Sequence, residues 1–168
     1  HIEIERTKEI INSYERFFYD ELTAIFRRKL GLTVEQSDDL KLIEAFLTWM
    51  QKNKKDYTIT FRNFTKDPDS LFEDKEGKNW YEQYQHRLRL EKTSPEKRKK
   101  IMAQANPKFI LRNYLAQEAI RDAEKSDFTK LINLIEVLKN PYDENSELDD
   151  LAKAPPEWGK KLEISCSS

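Results

Sequence analysis

"DYTITFRNF", residues 56–64, is the stretch that separates an all-helical chain from a mixed one. Taken two residues at a time, Tyr57, Ile59 and Phe61 alternate as on a strand; taken at helical spacing, Tyr57, Phe61 and Phe64 share a face. Asp56 supplies a side-chain acceptor for the first free backbone N–H groups of a helix, and no partner strand is visible elsewhere in the chain. The stretch is therefore read as a short helix, and the fold as all-α.

The flanking sequence extends that reading. Upstream, Ile11, Tyr14, Phe18, Leu22 and Ile25 recur at three- and four-residue spacing, predicting an amphipathic helix over residues 5–30 that Gly31 ends. Ser37, Asp38 and Asp39 start a second helix whose Leu42, Ala45, Phe46, Trp49 and Met50 share a face, and the two are expected to form an antiparallel pair. Downstream, residues 66–78 read as a polar connection, and Trp80, Tyr81, Tyr84 and Leu88 mark another helix. Ser94-Pro95 and Asn106-Pro107 each look like an N-cap followed by a first helical position. After Asn106, a helix is expected with Phe109, Ala116, Ile120 and Ala123 on one line and Leu111, Leu115 and Ala119 beside it, apolar over most of its circumference. Asp127 caps a following helix carrying Phe128, Leu131, Ile135 and Leu138, which closes an αα-hairpin and stops before Pro141. A short turn is expected from Leu148 to Ala152. Beyond Pro155-Pro156, Leu162, Ile164 and Cys166 alternate with Glu163, Ser165 and Ser167 as in extended chain. The expectation is an irregular antiparallel helical bundle over residues 1–154 with an extended tail over 155–168.

Composition narrows the function. Of 168 residues, 36% are charged and only 38% hydrophobic, so the core draws on 9 Phe, 7 Tyr and 3 Trp. The 3 glycines are too few for the many tight turns of a β-sandwich. A net charge of -1 and a pI near 6.3 argue against a general polyanion binder. No apolar run approaches the roughly 20 residues that span a bilayer. One cysteine allows neither an internal disulfide nor a cysteine-based zinc site, which fits a reducing, cytoplasmic setting. The start at His1, without methionine and already inside a helical pattern, reads as a piece of a longer protein, with His1 a tag remnant.

A phosphate-cradling loop needs several glycines, and "EGK" at residues 76–78 has one. His1, His86 and Cys166 lack metal-ligand spacing. No cofactor or metal is therefore expected on this chain. The acidic runs near Glu73 and at residues 142–150 read as solvated loops. The basic run "HRLRLEKTSPEKRKK", residues 86–100, has no aromatic residues interleaved for stacking, and it reads as a solvated helix face rather than a nucleic-acid site. Arg112 falls on the apolar side of its expected helix, between Ala119 and Ala123, with Asn113 near Phe109 and Ile120. A buried guanidinium requires a partner. Either that partner lies within the chain, or it lies in a missing portion and Arg112 and Asn113 belong to an interface. Cys166 is either a strand residue packed beside Leu162 and Ile164 or a mobile thiol. An extended tail from Gly159 would carry that thiol through roughly 23 Å.

"NPKFILRNYLAQEAI" (106–120), "LKNPYDE" (138–144), "PPEWGKKLEISCSS" (155–168) and "DYTITFR" (56–62) resemble the carboxyl-terminal part of the selenoprotein O family, the kinase-like protein adenylyltransferases. The resemblance runs from about Tyr14 onward. It implies a parent that binds ATP in an inverted orientation with Mg or Mn and transfers AMP to hydroxyl side chains of protein substrates. The nucleotide and metal residues of that family lie in a kinase-like portion amino-terminal to this sequence. No glycine-rich loop, "VAIK"-type lysine or "DFG" occurs here, so the chain alone is expected to be inactive and to brace the kinase-like lobe. Cys166 matches the position, third from the end, where members carry selenocysteine or cysteine. Some members have a cysteine three residues earlier, but Glu163 stands there in this chain. The resemblance then implies a disulfide partner in the kinase-like portion or in another protein. The competing reading is a stand-alone helical protein-interaction module.

Overall fold

The computed structural model describes residues 2–162, and among these the regular structure is entirely helical. The helices are α1 (Ile2–Leu30), α2 (Asp39–Lys52), α3 (Tyr57–Lys66), α4 (Lys75–Leu88), α5 (Pro95–Ala105), α6 (Asn113–Ala123) and α7 (Thr129–Lys139). Short 3-10 turns occupy Asp69–Leu71, Ser146–Ala152 and Gly159–Lys161.

The deciding stretch is helix α3. Asp56 Oδ1 accepts the Ile59 N–H at 3.0 Å and caps it. Phe61 and Phe64 both reach the Phe46 ring, at centroid distances of 5.3 and 5.5 Å. A strand would have sent residues three apart to opposite faces. Phe46 is the hub of the larger core: it stacks on Trp80 at 4.4 Å and lies beside Trp49 at 5.9 Å. Each buried ring with a polar atom has a partner, as such rings require. Trp80 Nε1 donates to the Leu42 carbonyl at 2.8 Å, and Tyr84 donates its hydroxyl to the Leu30 carbonyl at 2.7 Å. Gly31, at φ 70°, ends α1 as expected; its own N–H donates to Arg28 O and the Leu32 N–H to Arg27 O.

Several local expectations change. The connection over residues 66–78 is not merely polar: Phe72 is 4% exposed, and α4 already starts at Lys75, with Asp74 capping the Gly77 N–H. Asn106 does not begin a helix. It ends α5, fully buried, with Nδ2 donating to Lys29 O at 2.8 Å and Thr65 Oγ1 at 3.1 Å. The N–H groups of Lys108 and Phe109 both donate to Pro141 O, at 2.7 and 3.1 Å. The Asn106 side chain, which would have capped such a helix, is instead engaged with Lys29 and Thr65, and residues 107–112 are non-helical, so α6 begins only at Asn113. Phe109 is buried from this linking segment, whereas Leu111 is exposed.

A second core joins Phe109, Tyr114, Leu115 and Ala119 to Leu134, Val137 and Leu151. Helix α6 is not apolar-buried around most of its circumference, since Ile120 is 54% exposed. Likewise α7 buries Leu134 and Val137, and leaves Phe128, Leu131 and Ile135 exposed. From Pro156 to Lys161 the chain turns, where extended chain was expected: the Gly159 N–H donates to Pro156 O at 2.9 Å; the alternating residues 163–167 lie outside the described residues. Trp158 meets the Tyr114 ring edge-on at 6.1 Å, with Arg121 5.5 Å from its ring. Cys166 lies outside the described residues.

Candidate docking interface

Helix α1 packs on the body only through its last turns, where Phe26 and Leu30 are buried and Leu22 is partly so. Toward its amino end Ile10, Ile11, Tyr14, Phe17 and Phe18 are 60, 59, 69, 64 and 48% exposed. They recur at three- and four-residue spacing and cover about a third of the helix circumference. Tyr14 and Phe18 lie together, ring centroids 6.5 Å apart. An apolar stripe of this kind ordinarily faces a core, and a helix standing clear of the body has little stability of its own. An exposed apolar stripe of this kind is the candidate docking surface of the chain.

The residues singled out from the sequence fall elsewhere. Arg112 finds its carboxylate inside the chain: Nη1 and Nη2 donate to Asp56 Oδ2 and Oδ1 at 2.7 and 3.0 Å. Asp56 thus caps α3 and ties α6 to it. Partial desolvation acts to raise the Asp56 carboxyl, but the hydrogen bonds from Arg112 and from the Ile59 N–H outweigh it and leave it below the usual range. Asn113 is exposed in the first turn of α6, beside Arg112 but without a share in that pair. His86 is exposed on α4. Arg87, from the basic run, is turned inward: Nε donates at 2.6 Å to Asp39, which is 0% exposed, and Nη1 donates at 2.9 Å to Glu91. Among the described residues, no three His, Cys, Asp or Glu side chains converge as metal ligands.

Sequence reading missed the polar cluster that joins the two cores. Arg62, 6% exposed, donates to the carbonyls of Asn106 (2.8 Å) and Tyr142 (3.1 Å) and to Glu144 (2.5 Å). Lys66 and Lys108 also reach Glu144, at 3.0 and 3.3 Å. Desolvation works to raise the Glu144 carboxyl, yet the bonds from Lys66 and Arg62, the Arg62 charge and the bond from Lys108 outweigh it and hold it at about 2. The signal was faint: an arginine between Phe61 and Phe64 in a helix whose other basic residue is only its last, and an acidic residue three beyond Pro141.

These features define an all-helical unit, among the described residues, with an uncovered apolar stripe. The sequence profile of the family described as "Protein adenylyltransferase SelO" matches residues 1–139, and the chain belongs to that family. The "Protein nucleotidyltransferase YdiU" of Pseudomonas fluorescens (strain SBW25) is 40% identical over 177 residues, an alignment covering 99% of this chain and 36% of the relative. The protein of the same name from Vibrio parahaemolyticus is 40% identical over 181 residues, covering 99% of this chain and 37% of the relative. That of Yersinia pestis (strain Pestoides F) is 43% identical over 151 residues, covering 84% and 31%. The chain spans about a third of the length of the curated relatives it matches. Among the described residues no helix is long and apolar enough to cross a membrane.

Proposed function

We propose that this chain is the carboxyl-terminal helical part of a protein adenylyltransferase, which braces the kinase-like portion of the same protein and carries a redox-regulatory cysteine, Cys166. The parent enzyme, using ATP and Mg or Mn, moves AMP onto hydroxyl side chains of its protein substrates; those steps belong to residues outside this chain. One observation supports the bracing role: among the described residues nothing covers the α1 stripe from Ile10 to Phe18, and the chain spans about a third of its relatives' length. For Cys166 the support is the family resemblance of the tail together with its fastening. Trp158 and Gly159 hold the chain against Tyr114 four residues before the undescribed segment begins.

The test mixes the isolated chain with the separately produced remainder of the parent. A stable complex is expected, and the chain alone transfers no AMP from radiolabelled ATP. Label transfer by the chain alone, lost on a point substitution within it, refutes the reading. Cys166 is expected to react with a maleimide in the folded chain. Labelling only after denaturation makes it a packed residue and removes its redox role.

A further inference from the structure

Beside the base of the exposed stripe, a groove of about 1090 Å³ runs between α1 and α5. Its walls mix apolar residues, Ala24, Ile25 and Ile101 among them, with Arg27, Arg28 and Lys29 set against one carboxylate, Glu21. Arg27 is engaged, at 3.2 Å from Glu35. Arg28 and Lys29 have no carboxylate within 4.0 Å among the described residues.

Lys29 has a structural task. Nζ donates to Ala105 O at 3.0 Å and to Asn106 Oδ1 at 3.3 Å, and lies 5.2 Å from the Phe61 ring centre. All of those partners are neutral. Burial accordingly pushes the ammonium below its usual range, with no opposing charge to restore it. Basic residues in the last turn of a helix suit its dipole, which accounts for the cations being there. It does not account for the apolar side chains that share the groove with them.

We propose that this groove receives an acidic side chain flanked by apolar ones, presented by the kinase-like portion of the parent as it docks along α1. The proposal rests on the docking reading above and adds the chemistry of the partner. Charge complementarity selects the occupant: a carboxylate set among Arg28 and Lys29 supplies the counter-charge the chain lacks, while its apolar neighbours cover Ala24 and Ile25. Ile25, 41% exposed, makes the groove continuous with the stripe.

The experiment measures binding of the 168-residue chain to the separately produced remainder of the parent, at low and high salt. Arg28→Glu and Ala24→Trp are compared with Phe18→Ser. The Arg28 side chain has no partner among the described residues, so Arg28→Glu should lower the free chain's midpoint only slightly, through the helix dipole, and Ala24→Trp, on the groove wall, should leave it nearly unchanged. Each is expected to weaken binding at least tenfold, and the Arg28→Glu loss should shrink as salt rises. If Phe18→Ser weakens binding while both groove variants bind as wild type, the groove proposal is overturned and the docking reading stands. Absence of binding by the wild-type chain overturns both.

Discussion

Replacing Arg112 by Ala separates a structural pair from an interface residue. The guanidinium makes two parallel bonds to Asp56, and the side chains are 12 and 25% exposed. Breaking a fully buried pair costs about 3–5 kcal/mol and an exposed one about 0–1; this pair lies between, so Arg112→Ala should destabilise the chain by about 2 kcal/mol. At this chain length that lowers the unfolding midpoint by roughly 4–8 °C. Asp56→Ala removes the α3 cap as well, adding about 1 kcal/mol. The double variant leaves no unpaired charge, so its loss should fall short of the sum of the singles by about 1–2 kcal/mol. Urea unfolding followed by tryptophan fluorescence reads all three, because Trp49 and Trp80 are in the core. If Arg112→Ala unfolds within about 0.5 kcal/mol of wild type yet binds the parent's remainder more weakly, the internal-pair reasoning is wrong and Arg112 belongs to the interface.

Tyr14→Ser with Phe18→Ser should leave the free chain's unfolding midpoint almost unchanged and weaken docking by about 2–3 kcal/mol, from the apolar surface each has left to bury. A midpoint drop with intact docking would place the stripe in the chain's own packing. Glu144 titrates at about 2 in the folded chain against the usual 4.5. A carboxyl lowered by folding contributes stability above its unfolded pKa and loses it as pH falls through the folded one. Stability should therefore decline between about pH 4.5 and 2, and Glu144→Gln should flatten that decline; identical slopes in acid unfolding for variant and wild type would show that the cluster contributes nothing. Gly77→Ala places a methyl 2.8 Å from Trp49 Nε1 and 2.9 Å from Phe72 Cδ1. The overpacking, about 1–3 kcal/mol, outweighs the helical preference for Ala of about 1 kcal/mol, so the variant should be less stable; a rise in midpoint would show that the two rings yield easily.

Local chemistry carried the reading furthest where a helix starts or stops. Asp56, Ser94 and Gly31 act through atoms within a few residues of themselves, so their roles in α3, α5 and α1 were legible in the sequence. The aromatic periodicity of α2 and α4 was legible for the same reason: Phe46, Trp49, Trp80 and Tyr84 recur at the spacing of one helical face. Family membership was legible too, from four short stretches. What the chain's own sequence left open was every decision made by a distant group. The side chain of Asn106 is spent on Lys29 and Thr65 and the carbonyl of Pro141 holds the N–H groups of Lys108 and Phe109 across the fold, and a helix that looked continuous from Asn106 begins at Asn113. Asp56 answers the charge of Arg112 from 56 positions away, and Glu144 gathers Arg62 and Lys66 from α3 and Lys108 from the segment before α6. Periodicity marked the apolar residues of α1 and α7 but not which of them would be covered. That depends on what packs against each turn: α1 meets the body only near its carboxyl end, and the stripe from Ile10 to Phe18 stays open because none of the described residues lies across it.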